Sequence, residues 1–270
     1  LPNEARSLVV REAKTPYIVF IDNDVVVTPG WLDPLVRCAK STSACIVSPI
    51  VCLGRPFHTY IHCAGGVVEI EERVENRRLR RRLVERLRFA GRRIDEVADR
   101  LIPGPTGLAE FHCMLVRKEV FERLGNLDLN MMNTREHIDL CLSVKAAGGG
   151  IYLEPRSVVT YDQGATRSVS DVLYYIHRWS TARVLYSIRH LRRKWSLDED
   201  RLSIGAYSWY RYLLLLPEPA RPFFRWILQP QVQRVGTWIV ENFARPRPRI
   251  LKEGREYTVL RPDPDRNGAA

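Results

Sequence analysis

Several things are missing from this sequence, and each absence narrows what the chain can be. No stretch nears the ~20 consecutive apolar residues that a membrane-spanning helix needs; the longest greasy run, Tyr212 to Leu216, is cut by Pro217 and Pro219. No helical membrane span is therefore expected in the residues given. The six cysteines (38, 45, 52, 63, 113, 141) form no Cys-x-x-Cys pair and no Cys/His zinc spacing, and most sit in apolar surroundings such as Ala44-Cys45-Ile46. They read as reduced core thiols of a cytosolic protein, not as a disulfide framework. His58, His62 and Cys63 lie close together, but no second Cys/His pair follows at zinc spacing. There is no internal repeat and no nucleic-acid recognition motif. The chain opens Leu1-Pro2-Asn3-Glu4, without Met and without a signal-like segment, and reads as a fragment.

What is present is a globular composition: 45% hydrophobic and 27% charged residues over 270 positions. A chain of this length buries roughly 70–75% of its unfolded surface, enough for one large domain with a smaller helical appendage. Lys and Arg number 42 against 31 Asp and Glu, a net charge of +11. That favours anionic partners, whether nucleotides, phospholipid headgroups or nucleic acid, and the sign alone does not choose among them.

Residues 4 to 14 have helical spacing, which Pro16 ends. Tyr17 to Ile21 is a continuous β-favouring run, as in a strand buried on both faces of a parallel sheet. A helix is predicted from Trp31 to Ala39, a strand from Cys45 to Val51 and a short strand from Val67 to Ile70. Residues 71 to 100 mix many arginines with glutamates, with Leu79, Leu83, Val84 and Leu87 at helical intervals, and predict an inserted basic amphipathic helix. A strand over Phe111 to Val116, a helix over Lys118 to Leu124 closed by Gly125, a helix over 135 to 147 and a strand over Ile151 to Leu153 complete the pattern. From Asp171 the sequence is helical and aromatic. After Phe243 it is rich in proline and charge, as an extended or disordered tail is.

The most informative chemistry is Asp22-Asn23-Asp24, placed where the first apolar strand ends. Ligands of open α/β sheets bind at the carboxyl ends of strands. Two carboxylates one residue apart there suit a hard divalent cation, Mg²⁺ or Mn²⁺, whose remaining shell is filled by water and substrate phosphates. A plain polar exit from the strand is the alternative reading of the same residues.

In chain order, YIVFIDNDVVVTPGWLDPLV, IHCAGG, HCMLVRKEVFERLGNLD and TREHIDLCLSVKAAGGGIYLEP resemble a family 2 glycosyltransferase of the GT-A fold, over about Asn3 to Tyr161. The resemblance implies a mixed or parallel sheet flanked by helices, a metal pair at Asp22 and Asp24, and nucleotide-sugar binding by Asp22, Asn23 and Asp24. It places the catalytic base at Glu136 or His137. His137 stands where the family usually has its base aspartate, and Val159-Thr160-Tyr161-Asp162 where a later histidine often completes the metal site. An imidazole can take a proton near pH 7, so His137 is a workable base. Asp139 ranks lower, since one helical turn cannot aim residues 136, 137 and 139 at one point. The structural alternative is a helix start with Thr134 as N-cap and Glu136 on the dipole. Ile61 to Gly66 would be a loop beside a bound sugar, with Gly65 and Gly66 permitting close approach, and Arg117 and Lys118 would touch phosphate or form an ordinary turn.

The resemblance also implies a strand-loop-helix unit for the nucleotide base before Leu1, about 80 to 100 residues by domain size. The expected organisation is a partial GT-A-like domain over 1–165, a helical region over 166–243 and a tail over 244–270. The implied activity is sugar transfer from a nucleotide-sugar donor to a glycan or lipid-linked acceptor in cell-envelope polysaccharide biosynthesis. The protein would be cytoplasmic, with the basic aromatic helices resting on an anionic membrane or packing as a cap. A non-catalytic relative and a basic nucleic-acid-binding module are the competing readings.

Overall fold

Residues 1–162 and 178–200 of a computed structural model of the chain are described. Pro2 starts α1 (Pro2–Glu12), where its missing N–H costs no helix bond; Glu4 in the first turn and Arg11 in the last complement the dipole. β1 (Tyr17–Ile21), β2 (Val25–Val27), α2 (Leu32–Ser41) and β3 (Ala44–Leu53) follow. β3 is buried along nearly its whole length, as its apolar sequence ACIVSPIVCL requires. After β4 (Ile61–Cys63), β5 (Gly66–Glu75) and β6 (Arg78–Leu87) come a short 3₁₀ turn (Asp95–Arg100), β7 (Gly104–Thr106), β8 (Cys113–Arg117), α3 (Lys118–Leu124), α4 (Glu136–Ala146) and β9 (Gly150–Tyr161). α5 (Thr181–Lys194) and β10 (Glu199–Asp200) end the described chain.

Seven strands form one mixed sheet in the order β1-β8-β3-β9-β2, with β4 paired to β3 and β7 to β9. β3 and β9 are parallel, and the other pairings are antiparallel. The α/β class with a mixed sheet flanked by helices is thus present. β1 departs from expectation. It runs antiparallel to β8 at the end of the strand order, with Ile18 and Phe20 buried and their neighbours partly covered. A short apolar run reads alike in either setting.

Residues 71–100 are not a helix. β5 and β6 form a regular hairpin, in register from Gly66↔Leu87 to Glu75↔Arg78. Its two-residue turn, Asn76 and Arg77, has φ of 52° and 61°, the left-handed pair whose twist matches that of the strands. Glu72 lies directly opposite Arg81 and pairs with it at 3.2 Å; Glu69–Arg86 is a diagonal pair, and Arg82 reaches Glu75 from a position four residues along the strand. The glutamates among the arginines serve cross-strand pairing, not i,i+4 helical pairing. β10 adds to β6 in parallel. Gly65 and Gly66 do permit a close approach, but to protein: a Cβ on Gly66 would fall 2.2 Å from the Arg86 carbonyl oxygen, and one on Gly65 2.4 Å from Thr106 Oγ1.

α5 is docked by polar contacts. The buried Ser187 Oγ accepts the N–H groups of Met132 (2.9 Å) and Asn133 (3.2 Å), and Lys194 reaches Asp139 at 2.7 Å and Asp128 at 3.0 Å. Of the expected helical region, residues 178–200 are described: α5 is helical as expected, while β10 at its end is a short strand; the rest of 166–243 and the 244–270 tail lie outside the described residues. All six cysteines are free and buried. Among the described residues no helix is long and apolar enough to cross a membrane.

Candidate functional site

The carboxyl ends of the parallel strands β1, β3 and β9 share one edge of the sheet, and β8, running the other way, begins there. Asp22 leaves β1 with its N–H bonded to the His112 carbonyl at 3.1 Å. Its Oδ2 lies 3.0 Å from His112 Nδ1, while Oδ1 faces Arg6 at 3.6 Å. Asn23 and Asp24 form the following turn, and the Asp24 carbonyl accepts the Asp162 N–H at 2.9 Å. Although Asp24 reaches solvent, the protein packed around it, with Asp22's charge alongside, holds its carboxyl above the ordinary aspartate range. A pair of carboxylates crowded in this way is relieved by a divalent cation, so the donor set fits Mg²⁺ or Mn²⁺.

The short segment between β7 and β8 carries Glu110 and His112. It is pinned by the Gly107 N–H on the Gly66 carbonyl (2.8 Å) and by the Ala109 N–H on Cys141 Sγ of α4 (3.4 Å). Glu110 is buried, and three imidazoles surround its carboxylate. Oε2 lies 2.9 Å from His62 Nε2 and 3.7 Å from His112 Nε2, and Oε1 lies 4.0 Å from His137 Nε2. Burial alone would push this carboxyl up; the close approach of His62 and the charges of the surrounding histidines more than reverse that and hold it at about 2. Burial of His62 acts against its charged form, but Glu110 outweighs it and the imidazole is shifted upward.

α4 begins at Arg135, a buried residue in the left-handed region at φ 67° with no side-chain cap, so the expected Thr134 N-cap is not what starts the helix. Arg135 pairs with Glu85 of β6, whose other oxygen lies 3.4 Å from His137 Nε2. Burial raises Glu85, and the bonds and charges of His137 and Arg135 overcome it, leaving the carboxyl below its ordinary value. Glu136 attracts Arg6, as Asp22 does, against the cost of burying that guanidinium.

Asp22 and His137 are therefore joined by the chain Asp22–His112–Glu110–His137, and Asp22 and Glu136 by Arg6. The two predicted groups converge on one edge of the sheet, although no predicted acid touches His137 directly. Asp139 points elsewhere: it is buried, accepting bonds from Lys194 Nζ and Trp195 Nε1 (2.8 Å). Arg117 and Lys118 cap chain carbonyls, Arg117 those of Ala39, Thr42 and Ala44 and Lys118 that of Ala13, which is the ordinary-turn reading. Tyr161, within the stretch Val159 to Asp162 where the family often has a metal histidine, stacks on His112 with ring centres 4.1 Å apart. His58 bonds to Thr160. Sequence reasoning missed Arg6, Glu85, Glu110 and His112. His112 opens the segment HCMLVRKEVFERLGNLD that carries the family resemblance, and nothing local in the sequence marks it or Glu110 as site residues. A surface depression lined by Arg37, Lys40, Thr42, Tyr152, Glu154 and Arg156 opens at the amino ends of β3 and β9, opposite this cluster.

A family profile described as Glycosyltransferase like family 2 matches residues 4–182. No curated protein matches the chain. Among solved structures, the chain is similar to the crystal structure of GalNAc-T7 with UDP, GalNAc and Mn²⁺, at 17% identity and a TM-score of 0.45, covering 89% of this chain and 43% of that one. It spans less than half the length of that protein.

Proposed function

The chain belongs to the glycosyltransferase-like family 2, and from that premise we propose that it moves a sugar from a nucleotide-sugar donor to an acceptor hydroxyl with inversion at the anomeric carbon. The observation that carries this reading is the convergence of Asp22 and His137 through His112 and Glu110 at the carboxyl edge of the sheet. Asp24 and Asp22 Oδ1 are the residues that would hold Mg²⁺ or Mn²⁺. Such an ion supplies charge neutralisation for a departing diphosphate.

His137 is the better base of the two candidates. Its Nε2 faces Glu85, which orients the ring and stabilises the imidazolium formed when the acceptor hydroxyl gives up its proton. Glu136, attracted to Arg6, is instead a positioning group for the guanidinium between the two acids. The acceptor class is a glycan or lipid-linked saccharide. Contact with an anionic membrane accords with the net charge of +11.

Calorimetry on the chain tests the reading: Mn²⁺-dependent binding of a nucleoside diphosphate that Asp24→Ala abolishes is expected. His137→Asn should keep that binding and lose transfer. Salt-sensitive RNA binding without nucleotide affinity would overturn the proposal. A second reading, a non-catalytic relative, is favoured by His137 in place of the base aspartate and Val159-Thr160-Tyr161-Asp162 in place of the metal histidine; it predicts donor binding with no turnover in the wild-type chain or in His137→Asn.

A further inference from the structure

Three side chains beside the proposed donor site, two of them the links between Asp22 and His137, have an arrangement that the proposed transfer does not by itself require. His62 on β4 and Glu110 and His112 just before β8 present Nε2, an oxygen and Nε2 within 4.8 Å of one another. Glu110 is more than nine-tenths buried, and its Oε2, 2.9 Å from His62 Nε2, makes no bond of normal hydrogen-bond geometry. An oxygen held at contact distance from a nitrogen without a hydrogen bond to it keeps lone pairs available to a third atom. Four-coordinate zinc, with bonds of about 2.0–2.1 Å, spaces its donors about 3.3 Å apart; the separations from Glu110 Oε2 here, 2.9 and 3.7 Å, bracket that figure.

The surroundings of His112 are those of a metal ligand. Its second nitrogen, Nδ1, lies 3.0 Å from Asp22 Oδ2. A proton held there by the carboxylate leaves the lone pair on Nε2, facing Glu110. Tyr161 stacked at 4.1 Å fixes the plane of the ring. A carboxylate behind a histidine that faces a metal is the usual device for setting tautomer and direction. The His62 and His112 side chains are each about a quarter exposed, 27% and 24%, so an ion can enter from solvent. Two imidazoles and one carboxylate are a nitrogen-rich set that suits zinc and leaves a coordination position open, unlike the all-oxygen set of Asp22 and Asp24.

We propose that His62, Glu110 and His112 bind one Zn²⁺, with Asp22 as the outer carboxylate that orients His112. This site shares Asp22 with the proposed donor cation through its other carboxylate oxygen but holds its ion on different residues, and it stands or falls without that cation.

The test uses chelator-stripped chain titrated with Zn²⁺ against a chromophoric competitor, with no nucleotide present. One ion per chain is expected. Affinity should fall at least tenfold in His62→Gln and in Glu110→Gln, and about 10–100-fold in Asp22→Asn, the range for removing an outer-shell partner. Asp24→Asn should leave zinc affinity unchanged while weakening nucleoside-diphosphate binding, so the two readings fail separately. Because Glu110→Gln alters a buried site and could unfold the chain, X-ray absorption at the zinc edge of the wild-type protein provides an independent readout: two imidazoles and an oxygen are expected in the shell. No stoichiometric zinc, an all-oxygen shell, or affinity unmoved by His62→Gln would overturn the proposal.

Discussion

Glu85 shows how one side chain can join a remote element to the site. It leaves the second strand of the hairpin to meet both Arg135 and His137, 52 residues away in sequence from the latter. If Glu85 orients the base, Glu85→Gln should lower kcat about tenfold or more with little change in donor KM, since a base displaced by a fraction of an ångström loses rate before it loses binding. Steady-state kinetics check this; a KM effect alone would assign Glu85 to donor binding. At this scale the sequence showed Asp22, Asp24, Glu136 and His137, because acids at a strand end and polar residues at a helix start are local patterns. It concealed Glu110, His112 and Arg6. Glu110, in the segment before β8, finds His62 on β4, and His112 finds Asp22 across 90 residues. No spacing rule applied to a contiguous window registers such pairs.

Two elements carry their own predictions. The turn of the hairpin holds Asn76 and Arg77 at positive φ, where an L side chain other than Asn or Asp costs about 1–2 kcal/mol. Arg77→Gly should therefore raise stability by about 1 kcal/mol, and Asn76→Val should lower it by a similar amount, both read from urea midpoints at unchanged slope. The same turn explains why the helix expected over 71–100 is absent. Leu79, Leu83, Val84 and Leu87 mimic a helical stripe, but Asn-Arg in a left-handed pair reverses the chain, and Leu83 is then buried in the core by β6. α5 is the second case. Burial would raise Asp128, but His190 at 2.8 Å and Lys194 at 3.0 Å hold it well below the ordinary aspartate range. A carboxyl depressed by folding contributes stability that is complete above its unfolded value near 3.9 and is lost as pH falls through the lower folded value, because the unfolded chain then binds more protons. Unfolding measured between pH 5 and pH 2 should show this loss, and Asp128→Asn should remove that part of the pH dependence while costing about 1–3 kcal/mol at neutral pH.

For the molecule as a whole, the placement of the site follows from strand direction. β1, β3 and β9 end together, so the turn after β1, the strand β4 paired to β3, and Tyr161 at the end of β9 meet without any long excursion of the chain. A ligand bound at that edge stabilises every element that contributes to it. Nucleoside diphosphate with Mn²⁺ at 100 times its Kd should add about 2.7 kcal/mol and raise Tm by several degrees, and Asp24→Asn should erase the shift in a thermal melt. Taken alone, the sequence determined the longer helices and strands outside the hairpin, the family likeness, and the acids at the end of the first strand, but not the short strands β2, β4, β7 and β10, of which β4 falls in a segment expected to be a loop. The features it determined depend on propensity and periodicity within short windows. Tertiary structure alone decided that β1 lies at the end of the strand order, that the arginine-rich segment pairs across strands, and that His62, Glu110, His112, His137 and Glu85 share one cluster. Those outcomes depend on which distant segments pair and which buried charges must find partners, and a carboxylate such as Glu110 is tolerated in the interior only because three separate parts of the chain bring imidazoles to it.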